Sequence, residues 1–268
     1  MGRVGVTRKW RFAGLLLVIL LLSATAQAEE FEAAPGRVSL AGGLVSGAQL
    51  DRGYSPMIFS GAQPGVEVAF FQHRESGERS YWLGYSSGAM QNRHGRSLES
   101  LTLSFLVATL YRLGDESPFY LGWSNDNQFN SRSIDGFLNF TGRSDYFTAF
   151  GPAAKYAQGF RLFGQEFSVD VFSHVQLLGF YLPSGYVSSL PRGFGYEPGG
   201  FFESFAGSVF LFHPGSAVSA GLRPELQWYW REGTSLAFSY SYEFVALRNV
   251  HTSRRSRGHF LLSLRMSL

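Results

Sequence analysis

The chain predicts an all-β fold, specifically a transmembrane antiparallel up-and-down β-barrel. Three observations lead there. First, residues 236–245 alternate: Leu236, Phe238, Tyr240, Tyr242 and Phe244 fall on one phase, and Ala237, Ser239, Ser241, Glu243 and Val245 on the other. Successive strand side chains point to opposite faces, so this segment has one greasy face and one mostly small, polar face. Second, that alternation recurs along the chain. Third, ionised side chains sort onto the non-greasy phase.

The elements follow in chain order. Arg3, Arg8, Lys9 and Arg11 form a basic leader, Phe12 to Leu22 an apolar run, and Ala26-Gln27-Ala28 a small-residue cleavage motif. Residues 1–28 therefore read as a secretory signal cut before Glu29, and residues 29–268 as one barrel domain. The apolar run is shorter than the roughly 20 residues a spanning helix needs. Strands are expected over 37–46, 64–73, 79–89, 97–112, 117–125, 146–162, 165–181, 203–213, 217–230, 234–247 and 258–268. Hairpin-length polar turns separate several pairs, at 74–78, 114–117, 163–165 and 231–234. Longer connections fall at 47–63, 90–96, 126–145, 182–202 and 248–257. Short and long links alternate over the first seven strands, as they do in barrels with tight turns at one end and long loops at the other.

A single-chain barrel of this kind has an even strand count. Ten spanning strands are expected, with 203–213 partly an excursion beyond the membrane. Twelve is the alternative, with a strand hidden in one of the long loops.

The last strand carries a family resemblance. Phe260, Leu262, Leu264, Met266 and Leu268 alternate to the final residue against His259, Leu261, Ser263, Arg265 and Ser267. This resembles the C-terminal strand of Gram-negative outer-membrane β-barrel proteins, although those usually end in an aromatic residue where this chain has Leu268. The resemblance implies placement in the cell outer membrane and recognition by the barrel-assembly machinery during insertion. Outer-membrane lipids and lipopolysaccharide become the expected surroundings, and a monomer the expected state.

Charge and composition exclude other classes. The chain has 23 Lys+Arg and 20 Asp+Glu. Four of the basic residues and none of the acids lie before Glu29, so the mature chain would carry 19 against 20, a net charge of −1. No clustered basic footprint for nucleic acid follows from that balance. With no cysteine, disulfide scaffolds and thiolate metal sites are excluded. Charged residues make up 16%, well under the usual share of about 25%, and aromatics reach 16%, which suits a surface facing lipid. No metal motif, phosphate-binding glycine loop or nucleotide fingerprint is present, so no cofactor is expected.

The phase of the charges nominates the interior. On 165–181, Phe167, Val169, Val171, Val175 and Leu177 oppose Ser168, Asp170, His174 and Gln176. On 217–230, Leu222, Leu226, Trp228 and Trp230 oppose Arg223, Glu225 and Gln227. A lipid-facing Arg or Lys at midplane costs about 2–4 kcal/mol. The lumen candidates are therefore Lys155, Asp170, His174, Arg223, Glu225, Glu243 and Arg265, either lining a conduit or bridging into a plug. A soluble barrel would invert the scheme and leave rows of Phe, Leu and Trp in water. A second group, Arg248, His251, Arg254, Arg255 and Arg257, is expected in an external basic loop suited to phosphate. The Gly/Pro/aromatic loop 182–202 is a third candidate surface.

Function divides three ways. A small-solute channel or transporter, which follows from a polar lumen, is the leading expectation, with two alternatives. A structural, adhesive or assembly-partner barrel follows from a bridged one. A lipid-modifying enzyme would need a nucleophile beside a base. Ser168, Asp170 and His174 share one strand face, but i and i+4 on a strand lie about 13 Å apart, so no catalytic residues are assigned.

Overall fold

The computed structural model describes residues 36–52, 55–74, 76–114, 116–134, 143–182, 209–248 and 252–268. The signal segment, loop 182–202 beyond Leu182, and His251 lie outside them.

Twelve strands form among the described residues: β1 (Gly36–Asp51), β2 (Ser55–Arg74), β3 (Gly77–Gln91), β4 (Ser97–Arg112), β5 (Phe119–Ile134), β6 (Arg143–Leu162), β7 (Gln165–Gln176), β8 (Leu178–Leu182), β9 (Phe210–Phe212), β10 (Ala217–Arg231), β11 (Thr234–Leu247) and β12 (Ser253–Ser267). Ten of them close a ring, β1-β2-β3-β4-β5-β6-β7-β10-β11-β12, with β12 pairing back onto β1 and every pairing antiparallel. Closure removes the exposed edges that an open sheet would leave. The short strands β8 and β9 stand outside the ring. After an interruption at Leu177, β8 continues the line of β7 along β6, and β9 pairs with it. The eighth of the eleven candidate strands, 203–213, thus contributes only 210–212 among the described residues, and the barrel has the ten strands expected.

The register fixes the barrel's shape. From Leu40 of β1, partners run through Val68, Leu83, Phe105 and Asn127 to Thr148 of β6. In the other direction they run through Leu264, Leu236, Trp228 and Phe167 to Phe160 of β6. The two arrivals differ by 160 less 148, a shear of twelve residues on ten strands. With ordinary strand rise and spacing this is a tilt of roughly 40°. Ten strands stand just above the eight-strand size whose interior side chains fill.

The first and last described residues meet at one rim, the chain-termini end, where Leu268 N–H donates to Gly36 O at 2.9 Å. Tight turns gather at this end. Phe163 and Gly164 both take positive φ, 53° and 76°, as a two-residue type I′ hairpin requires. The opposite, distal end carries the longer links.

The exterior is oily: Leu40, Leu44, Leu222, Leu226, Phe238 and Leu262 are all exposed. Exterior-phase charges among the described strands, Arg74, Arg79, Glu99 and Arg254, sit near strand ends. Asn125 and Asn127 of β5 also lie on the outer phase, but they are neutral and bonded. Asn127 donates to Asn125 Oδ1 (2.6 Å) and Phe105 O (3.3 Å), and accepts from Tyr146 OH (3.1 Å).

Three predicted loops are wholly or partly strand: of the expected 47–63, β1 takes 47–51 and β2 takes 55–63. β5 runs to Ile134 and β6 begins at Arg143, where a connection over 126–145 is expected. β12 begins at Ser253, inside the expected loop 248–257.

Candidate functional site

The bore is filled by ion pairs in three tiers. In the distal tier, Arg132 of β5 bonds both Asp145 of β6 and Asp51 of β1. Arg255 of β12 adds a bond to Asp145 at 3.0 Å. Asn130 donates to Asp145 at 3.2 Å and accepts from Thr102 at 3.0 Å, so each carboxylate oxygen of Asp145 has a donor.

In the middle tier Arg257 of β12 donates through Nη2 to Gln128 Oε1 of β5 at 2.5 Å and to Glu243 Oε2 of β11 at 3.0 Å. Five strand steps separate β12 from β5 on the ten-strand ring, so this guanidinium joins opposite walls. Gln128 passes the connection on to Asp126 at 3.1 Å. Gln176 donates to Ser124 at 2.9 Å. Beside Glu243, Arg257 and His259 lies a void of about 20 Å³, room for a single water.

In the near tier, Arg223 of β10 makes two parallel bonds of 2.8 Å to Glu67 of β2, again across the bore. Glu225 accepts from Arg265 at 2.6 Å. Lys155 lies between Glu78 (2.8 Å) and Asp170 (3.1 Å). An apolar core of Ala69, Phe71, Trp82, Ala108, Leu110, Ala153 and Phe172 packs among these pairs. The Arg265 guanidinium lies 4.5 Å from the Phe71 ring centroid, and that of Arg223 lies 5.9 Å from Trp82. Arg265 and Arg223 thus each lay the guanidinium over a ring while bonding a carboxylate.

Of the nominated lumen residues, Lys155, Asp170, Arg223, Glu225, Glu243 and Arg265 all enter these tiers. His174 is buried, its ring tilted 47° to that of Phe172 with centroids 5.6 Å apart, and its Nδ1 has no hydrogen-bond partner among the described residues. Ser168, Asp170 and His174 do not form a relay: Ser168 meets the Tyr229 hydroxyl at 3.4 Å, and Asp170 meets Lys155.

The basic-loop group needs correction. Arg254, Arg255 and Arg257 belong to strand β12, and Arg255 and Arg257 are buried in the bore. A run of arginines resembles a solvated loop, but alternate members turn inward on a strand, where acids from other strands neutralise them. Arg254 points outward and Arg248 is exposed beyond β11.

Sequence reasoning also missed Asp51, Glu67, Glu78, Asp126, Gln128, Arg132 and Asp145. Asp126 to Asp145 fall in the expected loop, and the signal for a strand there was weak because β5 carries Asn125, Asn127, Ser131 and Ser133 on its outer phase. For Glu67 the alternation of its own strand held the information, since it opposes Val66 and Val68, whereas Glu78 and Asp51 fall in the expected turn 74–78 and the expected loop 47–63.

Below the near tier the bore opens at the chain-termini end into a cavity of about 520 Å³. Its walls include Arg37, His73, Arg112, Tyr120, Lys155 and Tyr229. Among the described residues no group of His, Asp and Glu is arranged to hold a metal ion.

A closed ring of ten tilted strands with an oily exterior and its charges turned inward is the fold of Gram-negative outer-membrane β-barrels, and such a chain resides in the outer membrane. No protein-family model matches it, and no curated protein is similar in sequence. Among solved structures the chain is similar to the outer membrane protease OmpT from Escherichia coli. The TM-score is 0.54 at 9% identity, covering 89% of this chain and 99% of that one. Looser likenesses include the translocator domain of autotransporter NalP from Neisseria meningitidis (TM-score 0.41, 10% identity, 96% and 97% covered). Another is Ail, the attachment invasion locus protein of Yersinia pestis (TM-score 0.36, 9% identity, 86% and 99% covered). The likeness to OmpT carries the fold alone.

Proposed function

We propose that this protein is a non-conducting outer-membrane barrel of the structural or adhesive kind, exported by its N-terminal signal, inserted by the barrel-assembly machinery and working as a monomer through its distal rim. The single observation behind this reading is the wall-to-wall contact of Arg257 with Gln128, with Arg223–Glu67 below it and Arg132–Asp51 above. A small-solute channel draws on the same polar interior, but here those polar groups satisfy one another. Moving one aside would leave a buried charge uncompensated.

The rim supplies the working surface. Arg52, Arg93, Arg96, Arg248 and Arg254 are exposed at the distal end, with Glu99 the exposed acid beside them among the described residues. Guanidinium groups pair with phosphate in two-point contacts, and the outer leaflet offers the phosphates of lipopolysaccharide. In planar bilayers the purified protein gives no single-channel steps above the detergent background, and regular steps would refute the closed barrel. Substituting Arg93, Arg96, Arg248 and Arg254 together by Gln is expected to lower co-purifying lipopolysaccharide at least fivefold; an unchanged amount would refute the rim's role.

A further inference from the structure

We infer that the cavity at the chain-termini end is a binding site for neutral saccharides, hydroxyl-rich rings presented either as free oligosaccharides or along a glycan strand. This goes beyond the rim reading and does not depend on it.

Size and access come first. About 520 Å³ lies within the range of roughly 300–1,000 Å³ of small-molecule sites. The near-tier bridges close the floor of the cavity, so it is a blind pocket open at one end. Tight turns mark that end as periplasmic in barrels of this architecture.

Two ring faces flank the pocket. Tyr120 of β5 and Tyr229 of β10 both line it, three strand steps apart. Each ring is braced by an arginine. The Arg112 guanidinium lies 5.3 Å from the Tyr120 centroid, with Nε donating to the hydroxyl at 3.0 Å, and that of Arg37 lies 5.9 Å from the Tyr229 centroid. Between the tyrosines the wall is made of small residues, Ala157 and Gly159 of β6 and Ser168 of β7. A Cβ built on Gly159 would meet only Phe167 O, at 3.8 Å, so the space in front of this glycine is open. Small side chains between two aromatic flanks leave room for a ring that presents C–H faces.

The polar groups decide what that ring carries. Lys155 is held between Glu78 and Asp170, Arg161 on Glu166, and Arg265 on Glu225. Those charges answer one another, so they do not select an ion of either sign. Hydroxyls remain. Tyr120 accepts from Arg112 and keeps its own proton to donate. Ser168 and Tyr229, 3.4 Å apart, share one hydrogen bond between two O–H groups, which leaves a second proton for a solute. A site that bonds a solute hydroxyl discriminates strongly against an analogue lacking it, because its own polar groups are then left unpaired. A saccharide meets both demands, with C–H faces for the tyrosines and hydroxyls round its edge. A plain aromatic solute meets only the first.

The test uses the full-length protein, purified in a detergent without a sugar headgroup, with maltotriose, chitotriose and benzyl alcohol as probes in isothermal titration calorimetry. At least one trisaccharide is expected to bind saturably with one site per chain, and benzyl alcohol at least tenfold more weakly. Co-sedimentation with purified cell-wall sacculi, competed by chitotriose, assigns the glycan strand; trisaccharide binding without it assigns a free sugar. Gly159→Leu, which fills the space between the tyrosines, is expected to weaken the trisaccharide at least tenfold. Gly42→Leu, at a wall position where a Cβ meets nothing within 4 Å, leaves binding unchanged. Folding of each variant is checked by heat-modifiable gel mobility. Should Gly159→Leu fail to fold, the comparison of trisaccharide with benzyl alcohol on the unmodified protein decides. The inference is overturned if neither trisaccharide saturates, if benzyl alcohol binds as tightly, or if folded Gly159→Leu binds unchanged.

Discussion

Replacing Arg257 by Met removes the one side chain that ties β12 to the opposite wall in the middle tier. Arg257 and Glu243 are 8% and 22% exposed, and Nη2 of Arg257 serves both Glu243 and Gln128. Taking one partner from a buried ion pair costs about 3–5 kcal/mol, because the charge left behind stays desolvated. Here Glu243 keeps Gln128 Nε2 at 3.4 Å and His259 at 3.8 Å, so the lower end applies. The expected loss is about 3 kcal/mol, somewhat over a hundredfold in the folding equilibrium. Making Glu243→Gln at the same time removes the orphaned charge, and the double variant should return to within about 1 kcal/mol of the parent, as paired replacements of buried ions do. Urea titration in lipid vesicles, read by tryptophan fluorescence and by gel mobility, gives both numbers, and the cycle isolates their coupling. If Arg257→Met costs less than about 1 kcal/mol, or the two changes simply add, the tier does not hold the barrel shut.

Further expectations rest on other parts of the wall. A Cβ built on Gly43 would stand 1.9 Å from Phe260 O on the closing strand, whereas one on Gly42 meets nothing within 4 Å. Gly43→Ala should therefore sharply reduce the heat-modifiable folded band, and Gly42→Ala should leave it intact. Arg223→Lys keeps the charge but loses the two-point contact with Glu67. A loss of about 1.5–3 kcal/mol in vesicle unfolding is expected, the worth of one charge-assisted bond. Leu44→Arg places a cation on the oily face and should cost about 2–4 kcal/mol in the same assay if it lies near midplane.

Much of the fold was legible because lipid enforces a simple code. Where the outer face is apolar, as in β10 (Leu222, Leu226, Trp228, Trp230) or β12 (Phe260, Leu262, Leu264, Met266), period-two alternation reads directly and the inward phase is unambiguous. Where strands carry polar outer residues the code fades. The stretch from Asn125 to Ser133 is polar on both phases but for Phe129, so β5 resembled a loop and its interior carboxylate and arginine went unseen. The arginines of 254–257 misled for a related reason. Charge alone cannot distinguish a solvated loop from a strand whose counter-ions arrive from Asp145 and Glu243, some 110 and 14 residues away in sequence. Which acid meets which base depends on a shear of twelve, and that register is not written in any one strand.

The sorting of side chains across the barrel wall can be measured directly, because the chain contains no cysteine. Single cysteines introduced along β12 from 256 to 266 and spin-labelled in lipid vesicles should alternate. Even positions should be relaxed by membrane-dissolved oxygen, odd positions should be shielded from it, and 257 to 263 should be shielded from a water-soluble nickel reagent as well. Oxygen access at 257 and 265 equal to that at 260 and 262 would mean that the arginines face the lipid, and the closed, inward-charged barrel would be contradicted.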